Sequence, residues 1–582
     1  MKTIKAMMGS LMLAAFCSAV SANTPRTAFV HLFEWQWDDI AAECENVLGP
    51  KGFSAVQVSP PQKSIGGSQW WTRYQPVSYQ IEGRSGSRAQ FQNMVNRCKA
   101  VGVDIYVDAV INHMAAWDRY FPEVPYGPND FHNCTSDINY GDAWSIQNCD
   151  LVGLNDLKTG SNYVQQKIAD YLNDLTNLGV AGFRIDAAKH MPASDINGIK
   201  NRLTGNPYIF QEVIGAGGEP VQPSHYNWIG DVTEFNFTNT MGHYFKLRAP
   251  LKEISNIGNW QGWLPSSDAV VFVANHDNQR QNTENTITHK DGNNANKMAH
   301  VFMLGWPYGY PKVMSSYDWH HHDQGPPSHG ASSCSNGWLC EHRDREIANM
   351  VGFRNHTVAH WGITNYWDNG NHQLAWGRGG LGFVVVNMEG SDLNRSFQTG
   401  MPAGEYCDII HGDFDAANGS CSGPTITVDT SGNANFSVYY RNASAIHVGA
   451  RVGDVCTDCT GSSGGSSSGS GSGSGSSGGS SSGGSPVETA FTCHNGYTYW
   501  GQSVYVVGNL DELGNWDPAN AQKLDPNSYP TWNGSINLPT NQSVEWKCLK
   551  REEQNPNAGI EWQSGSNNTF TSGQNSTPSA SF

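Results

Sequence analysis

The chain has 582 residues, 38% of them hydrophobic, and a formal net charge of −17 at pH 7. This length provides for two to four domains with at least one large core. The acidic balance argues against nucleic acid and anionic membranes as partners. A neutral ligand is the better match, and the 20 Trp and 22 Tyr residues favour one with flat apolar faces, such as sugar rings.

The first 22 residues have the layout of a secretory signal. Lys2 and Lys5 precede an apolar run, and small residues up to Ala22 stand before Asn23. The run is shorter than the roughly 20 residues that a membrane span needs. We therefore expect a secreted, extracellular protein with no membrane association.

Secretion predicts that the cysteines form disulfide bonds. Thirteen are present, and one of them, Cys17, lies in the signal. Spacing suggests the pairs Cys44 with Cys98, Cys134 with Cys149, Cys334 with Cys340, Cys407 with Cys421, Cys456 with Cys459, and Cys493 with Cys548. For Cys456 and Cys459 a redox role is the alternative to a structural bridge.

A segment that contains only Gly and Ser, residues 461–485, divides the chain. Such a segment cannot bury apolar surface and behaves as a flexible tether. Before it, alternating runs such as "LGFVVVN" predict a small all-β domain. The predicted divisions are a signal at 1–22, a catalytic barrel at 23–360, an all-β domain at 361–452, the Cys pair and linker at 453–485, and an all-β module at 486–582.

Eight apolar, strand-like runs alternate with helix-like stretches in the large body. They are TAFVHLFEW, FSAVQVSP, VDIYVDAVINH, VAGFRIDA, YIFQEVI, VTEFNF, AVVFVANHD and PKVMSSY. This alternation favours the α/β class and a closed (β/α)8 barrel, with an open doubly wound sheet as the alternative. The third and fourth runs are too far apart for one strand-helix unit, which predicts an inserted subdomain at about 113–156.

Polar side chains stand where several of these strands end, the face at which such barrels carry their chemistry. They are Asp108, Asn112, His113, Arg184, Asp186, Glu212, His276 and Asp277. One strand-helix unit separates Asp186 from Glu212, and two units separate Glu212 from Asp277. We therefore expect these three acids around one cavity, although each alone could be a helix cap or a surface ion pair.

Several carboxyls, a neutral substrate and the absence of a thiol or serine motif indicate glycoside hydrolysis. Arg184 shares a strand face with Asp186 and would favour its ionised form, which predicts Asp186 as the nucleophile. Crowding by the other acids favours a proton on Glu212, which predicts it as the acid. His113, His276 and Asp277 would hold the sugar.

Four segments resemble the signature regions of the α-amylase family: "DAVINH" (108–113), "GFRIDAAKH" (182–190), "QEVI" (211–214) and "FVANHD" (272–277). The resemblance covers nearly all of residues 23–450, and "WWTRYQPVSY" (70–79) and "KVMSSY" (312–317) are most similar to the animal-type branch. It implies a retaining endo-hydrolase of α-1,4-glucans with Asp186 as nucleophile, Glu212 as acid/base and Asp277 as transition-state stabiliser. The positions that match substrate contacts are Trp70, Trp71, Tyr74, Gln75, His113, Arg184, Lys189, His190, Glu219 and His276.

The same resemblance implies two bound ions. A calcium ion would join the inserted subdomain to the barrel, held by Asn112, Asp156 and the main-chain carbonyls of Gln147 and His190, all oxygen ligands that suit a hard cation. A chloride ion would lie near the acid/base, held by Arg184, Asn275 and Lys312. Because Lys312 stands where the vertebrate pattern has an arginine and lacks its planar fork, we expect chloride activation with weaker anion binding.

The tail resembles a glucoamylase-type starch-binding module, from "TYWGQSVYVVGNLDELGNWDPANA" to "EWQSGSNNTF". The resemblance implies one glucan site at Trp516, Lys547, Trp562 and Asn567, and a second at Tyr529 and Trp532. A tethered module raises the effective substrate concentration on granules. The expected partners are thus starch and other α-1,4-glucans, including insoluble granules, and the protein is expected to act as a monomer.

Two other functions remain open from the sequence. A glucosyl-transferring relative would use the same acids but normally has further domains and acceptor-site aromatics, which the sequence does not show. A non-catalytic starch-binding or sensing protein would lack a catalytic acid, whereas all three are present. Reducing ends counted on soluble starch, with the products separated, distinguish hydrolysis, transfer and binding alone.

Overall fold

The computed structural model describes residues 26–281, 284–455, 487–496, 498, 502–528, 530–540, 542–553, 560–563, 565–573 and 577–582. The predicted signal at 1–22, the Cys456–Cys459 pair, the Gly/Ser linker and Tyr529 lie outside the described residues. The chain divides into two compact units, with the boundary between residues 463 and 464.

Eight parallel strands close into a barrel in the first unit. In chain order they are β1 (Phe29–Leu32), β2 (Ala55–Val58), β3 (Asp104–Ala109), β4 (Gly182–Ile185), β5 (Tyr208–Gln211), β6 (Asp231–Thr233), β7 (Ala269–Val271) and β8 (Tyr310–Ser315). Each strand pairs with its neighbours in the sequence, and β8 closes the circle by pairing with β1, where Lys312 lies opposite Phe29. The closed barrel is therefore confirmed, and the open sheet is excluded.

One end of the barrel is filled by aromatic and aliphatic side chains. The ring of Phe29 lies 5.5 Å from the ring of Tyr106, 5.5 Å from that of Phe210 and 4.8 Å from that of Tyr310, measured between centroids. Phe29 and Tyr310 are the first residues of their strands. Since these rings fill the barrel near the start of β1 and β8, the C-terminal ends of the strands are the expected place for a site.

The helices of the first unit lie between or after the barrel strands. Their bounds are Trp37–Glu43, Gly49–Lys51, Arg88–Ala100, Ala143–Asn148, Asn162–Asn177, Ala193–Lys200, Phe235–Phe245, Ala295–Gly305 and Arg345–Thr357. Helix Asn162–Asn177 buries Val164, Ile168 and Leu172 at helical spacing, as "YVQQKIADYLNDLTNLG" predicts. No helix among the described residues is long and apolar enough to cross a membrane.

The sixth strand is shorter than its apolar run suggests. The run VTEFNF predicts a strand to Phe237, but β6 ends at Thr233 and a helix begins at Phe235. The carboxylate of Glu234 accepts a hydrogen bond from the Asn236 amide at 3.0 Å and so caps that helix. Such a cap satisfies an amide of the first helical turn that would otherwise be unpaired. We attribute the early end of β6 to this stabilisation of the helix, which exceeds the preference of the aromatic residues for a strand.

The segment between β3 and β4 forms the predicted insertion. Strand His113–Met114 pairs with Asn155–Asp156 in an antiparallel ribbon, with His113 opposite Asp156. Between these strands lie the helix Ala143–Asn148 and the Cys134–Cys149 disulfide. The ribbon therefore returns the end of the insertion to the edge of the barrel at which β3 ends.

An all-β region follows the barrel. Its strands are Thr364–Asp368, Gln373–Gly377, Gly382–Asn387, Leu393–Gln398, Gly404–Cys407, Phe414–Asp415, Ser420–Cys421, Thr425–Val428, Asn433–Val438 and Asn442–His447. Most of them form two four-stranded sheets around a core that includes Phe383, Phe397 and Phe436. Trp376 packs against Phe302 and Trp306 and so attaches this region to the barrel.

The second unit is also all-β. Its strands are Val487–His494, Gln502–Gly508, Gln522–Lys523, Asp525–Ser528, Thr531–Leu538, Ser543–Glu552, Glu561–Trp562, Asn568–Thr571 and Ser579–Ser581. They form a four-stranded and a five-stranded sheet, whose core contains Phe491, Trp532 and Trp546.

Five of the predicted disulfides are present. They are Cys44–Cys98, Cys134–Cys149, Cys334–Cys340, Cys407–Cys421 and Cys493–Cys548. The five bridges confirm the pairing expected from spacing.

Candidate active site

Strand register brings Arg184 next to the acids of the neighbouring strands. Arg184 lies opposite Asp108 on β3 and opposite Phe210 on β5. Asp186 directly follows β4, and Glu212 directly follows β5. Because adjacent parallel strands end at the same edge, these side chains share the mouth of the barrel.

The guanidinium of Arg184 contacts three carboxylates. Its Nη1 lies 2.6 Å from Asp108 Oδ1 and 2.7 Å from Asp186 Oδ1, and its Nη2 contacts Glu212 Oε1. The other oxygen of Glu212 accepts a hydrogen bond from the Ala187 amide at 3.1 Å. The prediction that Arg184 and Asp186 share a strand face agrees with this contact, and the arginine also binds two further acids.

Burial works against ionisation of these carboxyls. Burial raises the pKa of Asp186 well above its ordinary value; Arg184 opposes this, and Glu212, Asp108 and Asp277 add to it. Burial, reinforced by Glu212, likewise raises the pKa of Asp277 to about 7. Arg184 does favour the carboxylate of Asp186, as expected, but burial outweighs it. A buried carboxyl such as Asp277, with its pKa raised toward neutral pH, is typical of sites of acid and base catalysis.

Aromatic and imidazole rings line one side of the acids. Tyr74 donates a hydrogen bond from its hydroxyl to Asp108 Oδ2 at 2.9 Å and stacks on His276 with 5.0 Å between ring centroids. Trp70 meets the same histidine edge-on at 5.7 Å. His276 Nε2 lies 3.3 Å from Asp277 Oδ2, which places the third predicted acid beside this wall.

His113 joins the same wall by donating a hydrogen bond from Nε2 to the Tyr74 carbonyl at 2.9 Å. Burial lowers the pKa of His113 to about 4 and that of His276 well below its ordinary value. Both rings are therefore neutral at pH 7, and each can serve as a hydrogen-bonding partner for an uncharged sugar.

Two further predicted contact residues lie at the edge of this wall. Trp71 is half-buried, and its Nε1 donates to Asp323 Oδ1 at 3.2 Å. Gln75, also half-buried, directly follows the 3-10 helix Trp70–Tyr74. Both therefore keep part of their side chain accessible to a ligand.

Lys189, His190 and Glu219 lie on the Glu212 side. The Lys189 amide donates to the Glu212 carbonyl at 3.2 Å, and its ammonium binds Glu219 and the Ile214 carbonyl. The ammonium also lies 5.0 Å from the ring of Tyr140, a half-exposed aromatic residue that sequence reasoning missed. Tyr140 lies in the insertion, and the sequence held no periodic signal for its approach to Lys189.

The predicted cation ligands lie in two pairs along the insertion and the ends of β3 and β4. Asn112 is buried, and its Oδ1 has no hydrogen-bonding partner in the described part of the chain. The Asn112 carbonyl accepts from the Leu157 amide at 3.0 Å, next to Asp156, while His190 Nδ1 donates to the Ile146 carbonyl at 2.9 Å, next to Gln147. An orphaned amide oxygen suits a calcium ion, whereas the Asp156 carboxylate already accepts a hydrogen bond from His132 Nδ1 at 2.6 Å.

Clusters of three or more His, Cys, Asp or Glu side chains that could hold a metal ion are absent among the described residues. The predicted set contains a single carboxylate, together with one amide and two main-chain carbonyls, and would not form such a cluster.

Lys312 is a buried cation beside Arg184. Its side chain is 2% exposed, its ammonium lies 4.9 Å from the ring of Phe272, and it forms no ion pair with a described residue. Burial lowers its pKa to about 7, Arg184 adds to this decrease, and Asp108 opposes it. Asn275 is also buried and lies two residues before Asp277. Its Oδ1 accepts a hydrogen bond from the Asp277 amide at 3.1 Å. Arg184 already contacts three carboxylates, so Lys312 is the cation of the two that lacks an ion pair with a described residue, and a small anion would compensate its charge.

The residues predicted for the first glucan site of the second unit lie on or next to the strands Ser543–Glu552 and Glu561–Trp562. Lys547 donates from Nζ to the Gln563 carbonyl at 2.8 Å, Asn567 donates to Glu545 Oε2 at 3.1 Å, and Trp562 is 40% exposed. The Trp516 amide donates to the Gly508 carbonyl at 2.8 Å. Gly508 directly follows Val507, which lies opposite Lys547 on the neighbouring strand. Trp516 has a φ of 64°, a left-handed conformation that is uncommon for a bulky residue and concentrates at binding sites.

Trp532, predicted for the second glucan site, is instead a core residue. It is 3% exposed, packs in the same cluster as Phe491 and Leu538, and donates from Nε1 to the Gly496 carbonyl at 2.7 Å. A ring covered on both sides cannot stack on a sugar, so this assignment is wrong. Period-two alternation would have placed Trp532 with Ile536 and Leu538 on the inner face of the strand Thr531–Leu538.

Three segments match known families: residues 52–216 the α-amylase catalytic domain, 364–449 the α-amylase C-terminal all-β domain, and 486–581 the starch-binding domain. The α-amylase of Streptomyces violaceus is 43% identical over 593 residues, which cover 98% of this chain and 97% of that protein. The α-amylase of Tribolium castaneum is 45% identical over 487 residues, 76% of this chain and 98% of that protein. The crystal structure of a mutant α-amylase I from Eisenia fetida with maltohexaose is 39% identical, has a TM-score of 0.68, and covers 73% of this chain and 97% of that one.

Proposed function

The chain belongs to the α-amylase family, and we propose that it is a secreted, retaining endo-hydrolase of α-1,4-glucosidic bonds that also binds granular starch through its C-terminal module. The observation that carries the proposal is the contact of Arg184 with Asp108, Asp186 and Glu212 at the mouth of the barrel. The divisions 1–22, 23–360, 361–452, 453–485 and 486–582 are part of the same proposal.

In this mechanism Glu212 donates a proton to the leaving glycosidic oxygen while Asp186 attacks the sugar carbon. A covalent glucosyl ester forms, and Glu212 then removes a proton from the water that hydrolyses it. Both carboxyls bind neighbouring nitrogens of one planar fork, which is compatible with the roughly 5 Å separation typical of retaining enzymes. Asp277, His113 and His276 would bind the sugar hydroxyls as the ring distorts.

The remaining predicted residues would hold the glucan on either side of this centre. Trp70, Trp71, Tyr74 and Gln75 belong to the aromatic wall and its edge. Lys189, His190 and Glu219 lie on the side of the acid, where the leaving part of the chain would bind. Incubation with soluble starch tests the activity: reducing ends should appear as free maltooligosaccharides, and the absence of new reducing ends would contradict hydrolysis.

A calcium ion would be held by Asn112, Asp156 and the main-chain carbonyls of Gln147 and His190, and it would supply a cross-link between the insertion and the barrel. We expect that a chelator lowers the melting temperature by about 3 °C, since a ligand at 100 times its dissociation constant stabilises by about 2.7 kcal/mol and a unit of about 430 residues unfolds with an entropy of about 0.9 kcal/mol/K. Calorimetry with and without added calcium measures this shift. The Asp156→Asn variant should show a smaller response, and a melting temperature that is unaffected by chelation would contradict the site.

A chloride ion would be held by Arg184, Asn275 and Lys312, near Glu212. We expect saturable activation by chloride that weakens as the pH rises through about 7, because Lys312 then loses its proton and its charge. Steady-state rates at several chloride concentrations and pH values test this. Lys312→Arg should bind chloride more tightly and without this pH dependence, and a wild-type protein indifferent to chloride would show that the anion site is wrong.

The starch-binding module should act through the exposed ring of Trp562. Trp562→Ala is expected to weaken binding to starch granules about tenfold, because a stacked aromatic ring contributes on the order of 1.4 kcal/mol. Granule depletion assays measure the change, and hydrolysis of soluble starch should stay at the wild-type rate. Trp361→Ala removes an exposed tryptophan of the first unit as a matched control and should leave granule binding intact.

A further inference from the structure

Arg280 is a buried cation surrounded by aromatic rings near the candidate active site. Its guanidinium carbon lies 5.0 Å from the ring centroid of Phe33, 5.7 Å from that of Trp70, 4.8 Å from that of Tyr317 and 4.8 Å from that of Trp319. Its side chain is 5% exposed. The rings come from the chain after β1, from the 3-10 helix Trp70–Tyr74 and from the chain after β8, so Arg280 joins three parts of the barrel mouth.

Hydrogen bonds connect Arg280 to the turn that carries His276 and Asp277. Its Nη1 donates to the His276 carbonyl at 3.1 Å, and its amide donates to the Asp277 carbonyl at 3.0 Å. Within the turn, Asn275 Oδ1 accepts from the Asp277 amide at 3.1 Å. The turn is therefore closed on itself by Asn275 and anchored to the aromatic wall by Arg280.

A purely structural anchor would not require a charge at this position. Burying a guanidinium is costly, and Arg280 forms no ion pair with a carboxylate among the described residues. The four rings stabilise the cation in part, yet an apolar side chain of similar length would fill the same space. Packing alone therefore does not explain a positive charge at this position.

Asp277 is one of the carboxyls that this charge reaches. Burial and the negative charges of Glu212 and Asp108 raise the pKa of Asp277, whereas Arg184 and, less strongly, Arg280 lower it, with about 7 as the result. In the other direction, burial lowers the pKa of Arg280, and Tyr317, Asp277 and Glu34 oppose this. Arg280 and Asp277 are thus coupled electrostatically without a direct ion pair.

We propose that Arg280 is a positioning residue of the catalytic centre: it fixes the His276–Asp277 turn against the wall that includes Trp70 and favours the ionised form of Asp277. The inference rests on the proposed function, because it assigns Asp277 a part in hydrolysis. Loss of the positive charge stabilises the neutral form of Asp277, so the ionised fraction falls first at low pH. The consequence is a catalytic defect that grows as the pH decreases.

The test compares a neutral and a charged replacement in the full chain, with kcat and KM for soluble starch measured across pH together with the melting temperature. Arg280→Met is expected to lower kcat about 10- to 100-fold, with a smaller change in KM, because the turn loses its anchor. Its acidic limb should move to higher pH by about 0.5 to 1 unit. Arg280→Lys should lower kcat less and keep the wild-type acidic limb.

A matched control replaces a second buried arginine outside the site. Arg354 is 2% exposed, and its guanidinium carbon lies 5.3 Å from the ring centroid of Trp361. Arg354→Met should lower the melting temperature and leave the pH profile unchanged. If Arg280→Met does not fold, Arg280→Gln serves as the neutral variant.

Two results would overturn the inference. A neutral variant with wild-type kcat and acidic limb and only a lower melting temperature would reduce Arg280 to a packing role. An acidic limb in Arg280→Lys that moves as far as in Arg280→Met would exclude its charge as the cause. A wild-type chain that does not hydrolyse starch would instead contradict the proposed function, so the two failures are distinguishable.

Discussion

Glu212→Gln is expected to lower starch hydrolysis at least 10²- to 10⁴-fold while binding to starch granules stays at the wild-type level. The amide keeps the shape of the side chain and can still accept the hydrogen bond from the Ala187 amide. It cannot donate a proton to the leaving oxygen, and general acid catalysis typically contributes a factor of this size. Reducing-end assays measure the loss, and granule depletion measures binding.

A substrate with a good leaving group separates the loss of the acid from a general disturbance. An α-maltosyl fluoride needs little protonation, so Glu212→Gln should still react with it, and added azide should yield an α-glycosyl azide. Glu341→Gln is a matched control, since Glu341 is buried, has a pKa raised by burial to about 7, and accepts a hydrogen bond from the Ser316 amide at 2.9 Å rather than from Arg184. Starch hydrolysis by Glu212→Gln within about tenfold of wild type would remove Glu212 as the acid.

Strand alternation and strand spacing were sufficient to predict the centre of the site. Alternation placed Arg184 and Asp186 on one face, and their side chains are in contact at 2.7 Å. The contact of Arg184 with Asp108 could not be predicted in the same way, because it depends on the register between β3 and β4. Register is a property of the assembled sheet, which the sequence of one strand does not encode.

Arg280 and Trp532 illustrate two different limits. The rings around Arg280 come from positions 33, 70, 317 and 319, and only the closure of the barrel brings them together. Trp532 could have been placed correctly, since its strand alternates and its inner positions include Leu538. The resemblance to starch-binding modules indicated a binding residue there, whereas the simpler physical pattern indicated a core residue.

Asp186→Asn is expected to reduce kcat by about 10⁴-fold or more, since removal of a nucleophile or its partner has effects of this size. The amide is a poor nucleophile, so the covalent glucosyl ester cannot form. The change also removes one of the three carboxylates on Arg184, which leaves Asp108 and Glu212 as its partners. Steady-state rates on soluble starch measure the loss, and a melting temperature near the wild-type value shows that the fold is intact.

The stereochemistry of rescue by azide decides between the two acids. With Asp186→Gly, azide can occupy the space of the lost carboxylate and attack an α-glycosyl fluoride from that face, which inverts the centre and gives a β-glycosyl azide. The acid/base variant reacts with azide only after Asp186 has already inverted the centre once, so its product is the α-azide. Opposite products from the two variants are therefore expected only if Asp186 is the nucleophile and Glu212 the acid. The same product from both, or an inverted product from starch with the wild-type protein, would contradict the retaining mechanism, because two successive inversions at one carbon require both residues in these roles.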